Sequence, residues 1–404
     1  MQENSLDERP GSEGGWKALK ILLLSPWPPP PDGVGYHSVA LANSWRRAGH
    51  HTLVVTSGSK DSSDYLPLEF SKDGIIVART LGVLPRKSTT RLVRSYEPDV
   101  AVVQFTIASQ NTSLFSTLRL MRTMRRSGIP VIVAYHESAR EIGRLGQVTR
   151  WIYRVAAKGT TVPVAYSRAA VSALKVGRIF NEVVEVAHGC RAIVDPSPED
   201  LLRVRECYNI TSPLILSLGF SHPDKGTELL ADSVTAISQQ LGRNVQFLFA
   251  GSPRKRRGIF RLMGQIDQKY HNLLIAKLAQ FKDVPIEIRG FVPEEDIGPL
   301  LLLSSAVVLP YRSATQSGIA NLALSAGAVI VASDIRELRD DLGPAAHYFR
   351  SGDVADLTAT IVNVLNVDQG PIRSAATSRA KDRSYDATAA KLLDIGLHAT
   401  YKPE

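Results

Sequence analysis

Short runs of Val, Ile, Leu and Ala alternate with longer amphipathic stretches along most of the chain. That is the pattern of a parallel sheet covered by helices. In the first half the runs predict strands over 20–25, 51–56, 74–79, 99–105, 130–135, 161–166 and 183–187. Most are apolar at every position, as strands buried on both faces must be. Helices are predicted between them, including 36–47 and 113–126. Gly128-Ile129-Pro130 closes the second, a helix stop followed by a strand start.

The alternation pauses after Val186. Residues 191–212 hold Asp195-Pro196-Ser197-Pro198, a charged helix-like segment and Thr211-Ser212-Pro213, and are read as a linker. It then restarts with strands over 213–220, 245–250, 285–291, 306–310 and 328–333. Helices are expected over 226–240, 271–281, 294–304 and 317–326. The expected organisation is a polar tail over 1–16, a Rossmann-like domain over 17–190, the linker, a second Rossmann-like domain over 213–372, and a helical tail over 373–404 that crosses back to the first domain. Two parallel sheets would then face one cleft. Open sheets of this kind bind ligands outside the carboxyl ends of their strands.

A hydrophobic fraction of 44% with 22% charged residues allows a large core. No run reaches the roughly 18 apolar residues of a membrane span, and the polar start does not read as a signal peptide. A cytoplasmic protein is expected. Cys190 and Cys207 are too few for a disulfide scaffold or a zinc site, and read as packing or incidental thiols. The formal net charge of +9 favours anionic partners. Arginines 122, 125 and 126, and the run Arg254-Lys255-Arg256-Arg257, are either solvated faces or contacts to such partners. No zinc-finger spacing, RNP-type strand or basic zipper accompanies them, so no nucleic acid is expected. Contact with the inner face of an anionic membrane fits the same charge.

Four loops carry candidate chemistry. Between the first strand and helix, Trp27 to Gly35 is proline-rich and ends in Gly33-Val34-Gly35, where backbone can approach a ligand at a helix N-terminus. The strand ending Tyr135-His136-Glu137 places His136 at a carboxyl end, where it could bond a substrate hydroxyl or meet transition-state charge. Gly219 to Gly226 is a strand, a turn and a Lys-Gly helix opening, which brings the Lys225 charge to helix amides, a combination suited to a diphosphate. Pro310 to Gly318 offers Arg312, Gln316, Ser317 and Gly318 as donors at another helix start. Walker, His-Glu-x-x-His and Gly-x-Ser-x-Gly motifs are absent, and no metal set is expected.

The ordered set resembles the retaining glycosyltransferases of the GT-B fold, in the large family 4 (group 1), over about residues 18–395. The carrying segments are Ile21 to Pro26, Gly33-Val34-Gly35, Arg47 to His50, Ala165-Tyr166-Ser167 and Ala187-His188-Gly189. Leu218 to Gly226, Ala250-Gly251, Gly290 to Pro293, Val308 to Arg312 and Ser384-Tyr385 follow in the same order. The resemblance implies metal-independent transfer from a nucleotide-diphosphate sugar, with retention and no further cofactor. Lys225 and the amides around Ser317 and Gly318 would hold the diphosphate. Gly219, Arg312 and Gln316 would join them, Gly33 and Gly35 would approach donor or acceptor, and His136 would face the transferred sugar. The acceptor would be a polysaccharide, glycolipid or natural product, which a lipid-linked acceptor would satisfy; a synthase of a soluble disaccharide is an alternative. Two family glutamates fall at Ala314 and Leu322, and the arginine that partners the lysine falls at Phe220. These departures motivate a further alternative, a catalytically silent scaffold or nucleotide-sugar-binding subunit.

Overall fold

A computed structural model of the chain describes residues 18–28, 33–57, 68–70, 75–82, 87–107, 113–136, 146–191, 196–241, 245–253, 261–314 and 317–399. The chain forms two compact units. One comprises Met1–Tyr135, Trp151–Pro163 and Leu392–Glu404, the other His136–Arg150 and Val164–Lys391.

In the first unit the strands are β1 (Lys20–Leu24), β2 (His51–Ser57), β3 (Leu68–Phe70), β4 (Ile76–Leu81), β5 (Val100–Phe105) and β6 (Val131–Tyr135). Their order is β3-β4-β2-β1-β5-β6, parallel apart from β3, which runs antiparallel to β4. Every residue of β5 and β6 is buried, as the continuous apolar runs require. Helix Gly33–Arg47 follows β1 and buries Leu41, Ala42 and Trp45. Phe105, Tyr135 and Tyr153 meet with ring centroids 5.4–5.5 Å apart, and the Tyr135 hydroxyl bonds Thr160 at 3.0 Å. Gly396 of helix Tyr385–Ala399 lies against Ile132 and Val100, where a Cβ would come within 2.6 Å of Ile132.

In the second unit Val164 and Ala165, the end of β7 (Val162–Ala165), pair in parallel with β8 (Val184–Glu185), Val164 opposite Val184. A six-stranded parallel sheet follows, built of β9 (Leu214–Leu218), β10 (Gln246–Ala250), β11 (Ile286–Arg289), β12 (Ala306–Leu309), β13 (Ile330–Ser333) and β14 (His347–Phe349). Its order is β11-β10-β9-β12-β13-β14. Strand alternation divides the core between the two faces. Leu214, Leu216, Val307 and Leu309 join one cluster, and Ile215, Ala306, Val308 and Phe247 the other. Each fully buried Leu, Ile or Phe contributes about 1.5–3 kcal/mol.

The stretch 191–212 carries a helix, Pro198–Cys207. Ser197 caps it and exchanges bonds with Asp200, and Val204 packs into the core. The helical tail is two helices, Gly370–Asp382 and Tyr385–Ala399. Arg383 at the break is 7% exposed and bonds the Asp341 carboxylate at 2.7 Å. Among the described residues no helix is long and apolar enough to cross a membrane.

Candidate functional site

The strand order of the second sheet reverses direction between β9 and β12, and such a switch point leaves a crevice outside the carboxyl ends. The two loops at that point are the Lys-Gly turn after β9 and the Pro310–Gly318 segment after β12. Gly219 leaves β9 at φ 127°. Its carbonyl lies so close to Gly251, at the end of β10, that a Cβ on Gly251 would overlap it. Ser221 N–H then donates to Ser252 at 3.0 Å. His222 caps the short turn Pro223–Lys225, with Nδ1 accepting from the Asp224 amide at 3.0 Å; its Nε2 is 3.4 Å from the buried Asp267 carboxylate. The turn ends at Gly226, φ 58°, where a Cβ would overlap the Pro310 carbonyl oxygen.

These contacts stitch the two loops together. The Arg312 amide donates to the Asp224 carbonyl at 2.8 Å, and its guanidinium donates to Pro223 O at 3.3 Å. That guanidinium also pairs with Glu228, which accepts from the Tyr270 hydroxyl as well. Arg312 therefore spends its fork on the protein's own loop. Lys225 Nζ stands 3.5 Å from the Tyr311 ring centroid, a cation–π seat that keeps its charge at the pocket wall. The Tyr311 hydroxyl is 3.1 Å from Ser317 Oγ. Ser317 caps helix Gly318–Ser325 by accepting from Ala320 N at 3.1 Å. The remaining first-turn amides and the helix dipole suit an anion. Gly219, Phe220, Lys225, Gly251, His271 and Tyr311 line one pocket at this point.

A second cluster surrounds His136, which is 4% exposed at the end of β6. Its ring packs on Tyr166 at 4.9 Å and lies 6.5 Å from His188. His188 also touches Tyr166 at 5.3 Å and Tyr385 at 6.2 Å. Burial pushes the His188 pKa down to about 4; its bond to the Gly189 carbonyl opposes this, and Arg383 adds to it. His188 Nδ1 faces that carbonyl at 3.0 Å and the Asn321 amide nitrogen at 3.2 Å. One nitrogen cannot donate to the first and accept from the second at once, so the ring's tautomer selects between them. Cys190 faces Asn321 Oδ1 at 3.5 Å. Gly189 leaves room for the Tyr385 ring, which a Cβ there would penetrate.

Of the residues singled out in the sequence, Gly219, Lys225, Arg312, Ser317 and Gly318 meet at one switch point. His136 lies in the aromatic cluster. Gly33 and Gly35 form the first turn of helix Gly33–Arg47 in the first unit. Gln316 and Glu137 lie outside the described residues, as do 254–257. Ala314 and Leu322 pack half-buried against the core, and Phe220 is 50% exposed. Sequence reasoning missed Glu228, Asn321 and the close neighbours of His188, whose partners lie far away along the chain. Among the described residues no group of three or more His, Cys, Asp or Glu side chains is placed to hold a metal ion.

Comparison with known proteins bears on the family and the fold. The family model for glycosyltransferase family 4 matches residues 31–189, and that for group 1 glycosyl transferases matches 212–367. No curated protein matches the sequence significantly. A glycosyltransferase from Rickettsia africae superposes with TM-score 0.72 at 15% identity, over 96% of this chain and 100% of its own. The sucrose-phosphate synthase of Thermosynechococcus elongatus gives TM-score 0.68 at 15% identity, over 94% and 98%. Anabaena HepE, solved with UDP, gives 0.66 at 16%, over 94% and 100%. With a family model on each half and this shared architecture, the chain belongs to the family 4, group 1 glycosyltransferases of the GT-B fold.

Proposed function

We propose that the protein moves a hexose-type sugar from a nucleotide-diphosphate sugar to a polysaccharide, glycolipid or natural-product acceptor, with retention and without a metal or further cofactor. The observation that carries this reading is the meeting of Lys225 with the Ser317-capped helix start at the switch point of the second sheet. As the bond from the anomeric carbon to the diphosphate breaks, negative charge grows on the leaving oxygen. The Lys225 ammonium and the amides around Ser317 and Gly318 stabilise that charge without reorganising. The acceptor oxygen bonds to the anomeric carbon on the same face, and its proton passes to the departing phosphate oxygen. Such a route requires no protein nucleophile. Gly219 lets backbone approach the donor, and Gln316 is a further donor-binding residue. Arg312 serves first by holding the turn that presents Lys225, through Pro223 and Asp224. His136 faces the transferred sugar, and Gly33 and Gly35 approach donor or acceptor. The reaction takes place on the cytoplasmic side, where nucleotide sugars are available; a lipid-linked acceptor would be met at an anionic membrane surface.

The test is a thermal-shift screen of nucleotide sugars followed by donor hydrolysis and transfer assays. A donor that binds the folded state raises its melting temperature. Lys225→Ala removes a charge-assisted contact of about 1.5–3 kcal/mol and should weaken that donor roughly 10- to 150-fold. A folded protein that binds no nucleotide sugar at millimolar concentration would sink the proposal. Undiminished binding in Lys225→Ala would remove the lysine from it.

A further inference from the structure

Two helices of the first unit lie side by side. Leu114–Arg126 and the residues from Trp151 onward in Gly146–Ala157 meet at their C-terminal ends. Arg122 donates to the Val155 carbonyl at 3.4 Å and Arg125 to the Lys158 carbonyl at 3.3 Å. Both acceptors are end-of-helix carbonyls that the helix itself leaves unsatisfied. Gly159 sits against Met121, where a Cβ would come within 2.8 Å of the Met121 Cβ, so the helix ends approach closely.

The outward side of this pair is unusual in composition. On the first helix Phe115, Arg119, Arg122, Arg125 and Arg126 fall within an arc of about 120°. Phe115 is 62% exposed, and Trp151 on the neighbour is 58% exposed. Arg119, Arg126, Arg154 and Lys158 are exposed as well, and neither helix contains an acidic residue. The face therefore carries one sign of charge around two exposed aromatic rings. Cationic side chains around amphipathic aromatics match the interfacial layer of a bilayer, where rings enter the headgroup level and arginines meet phosphate.

We propose that the outer face of these two helices docks on an anionic lipid bilayer. Phe115 and Trp151 enter the interface, and Arg119, Arg126, Arg154 and Lys158 meet the headgroup phosphates. The proposal deepens the reading of a membrane-borne acceptor but does not need it, because docking is measured without donor or acceptor.

The experiment is co-sedimentation of the full chain with vesicles of phosphatidylcholine, with and without phosphatidylglycerol. The protein should pellet with the anionic vesicles only, lose binding at high salt, and show a blue shift of tryptophan emission that disappears in Trp151→Ala. The double variant Arg119→Gln/Arg126→Gln should bind roughly 25-fold more weakly, about fivefold per charge. Lys175→Gln/Lys381→Gln, which removes two exposed charges elsewhere, should bind like the parent; all these positions are at the surface, so unchanged melting temperatures report intact folding. The proposal is overturned if the parent ignores anionic vesicles or if both double variants weaken equally. Binding with no change in emission, displaced fully by single-stranded RNA, would also overturn it and assign the face to a polyanion.

Discussion

Replacing Gly226 by alanine tests the stitched loops directly. The new methyl group meets two obstacles. At φ 58° an L-residue is strained, by about 1–2 kcal/mol. The Cβ would also overlap the Pro310 carbonyl oxygen, and restoring contact distance requires the segments to part by roughly an ångström, at about 1–3 kcal/mol. The sum is about 2–5 kcal/mol, or roughly 5–15 °C in melting temperature for a unit of this size. Two controls separate the contributions. Gly352 has φ 83° with nothing within 4 Å of its Cβ position, so Gly352→Ala should show the strain alone, a fall of a few degrees. Gly318 has neither obstacle, and Gly318→Ala should be neutral or slightly stabilising through the unfolded chain. Differential scanning calorimetry reads all three. Equal falls for Gly226→Ala and Gly352→Ala would refute the crowding against Pro310, and with it the account of how the turn holds Lys225.

Two further outcomes follow from burial. Arg383→Met leaves Asp341 facing a low-dielectric site whose burial already raises its pKa. A loss of about 3–5 kcal/mol is expected, against under about 1 kcal/mol for Arg339→Met at the exposed pair with Asp334; urea unfolding of both variants checks this, and equal losses would contradict it. His188 has its folded pKa lowered from 6.5 to about 4, so the unfolded chain takes up the proton first. Its contribution is fully present above pH 6.5 and is lost as pH falls toward 4. The ring is half-buried, so we set that loss at about 2 kcal/mol after solvent screening. His188→Asn should flatten the stability profile between pH 6.5 and 4, and an unchanged slope there would show that His188 does not carry it.

Much of the architecture was legible because a strand covered on both sides must be apolar throughout. The runs behind β1, β5, β6, β9 and β12 announced themselves, and so did the loops after β1, β6, β9 and β12. Two of the edge strands did not. β14 is His347–Phe349, only three residues and partly exposed, and β3 is equally short, so neither shows a periodicity. The last helical stretch read as one because its pattern is continuous; the break at Arg383 is set by a buried bond to Asp341 that no local pattern records.

The Lys-Gly turn, the helix start at Ser317 and His136 at its strand end were determined by the sequence alone, because each is a local relation between neighbouring residues. Tertiary structure decided what surrounds them. Arg312 reads as a phosphate fork in the sequence, yet packing gives it Glu228, 84 positions away along the chain. His188 reads only as a landmark until Tyr166, Asn321 and Tyr385 close around it. Contacts between residues so far apart depend on the order of strands in the sheet, and that order is fixed by burying whole faces rather than by any short run of residues.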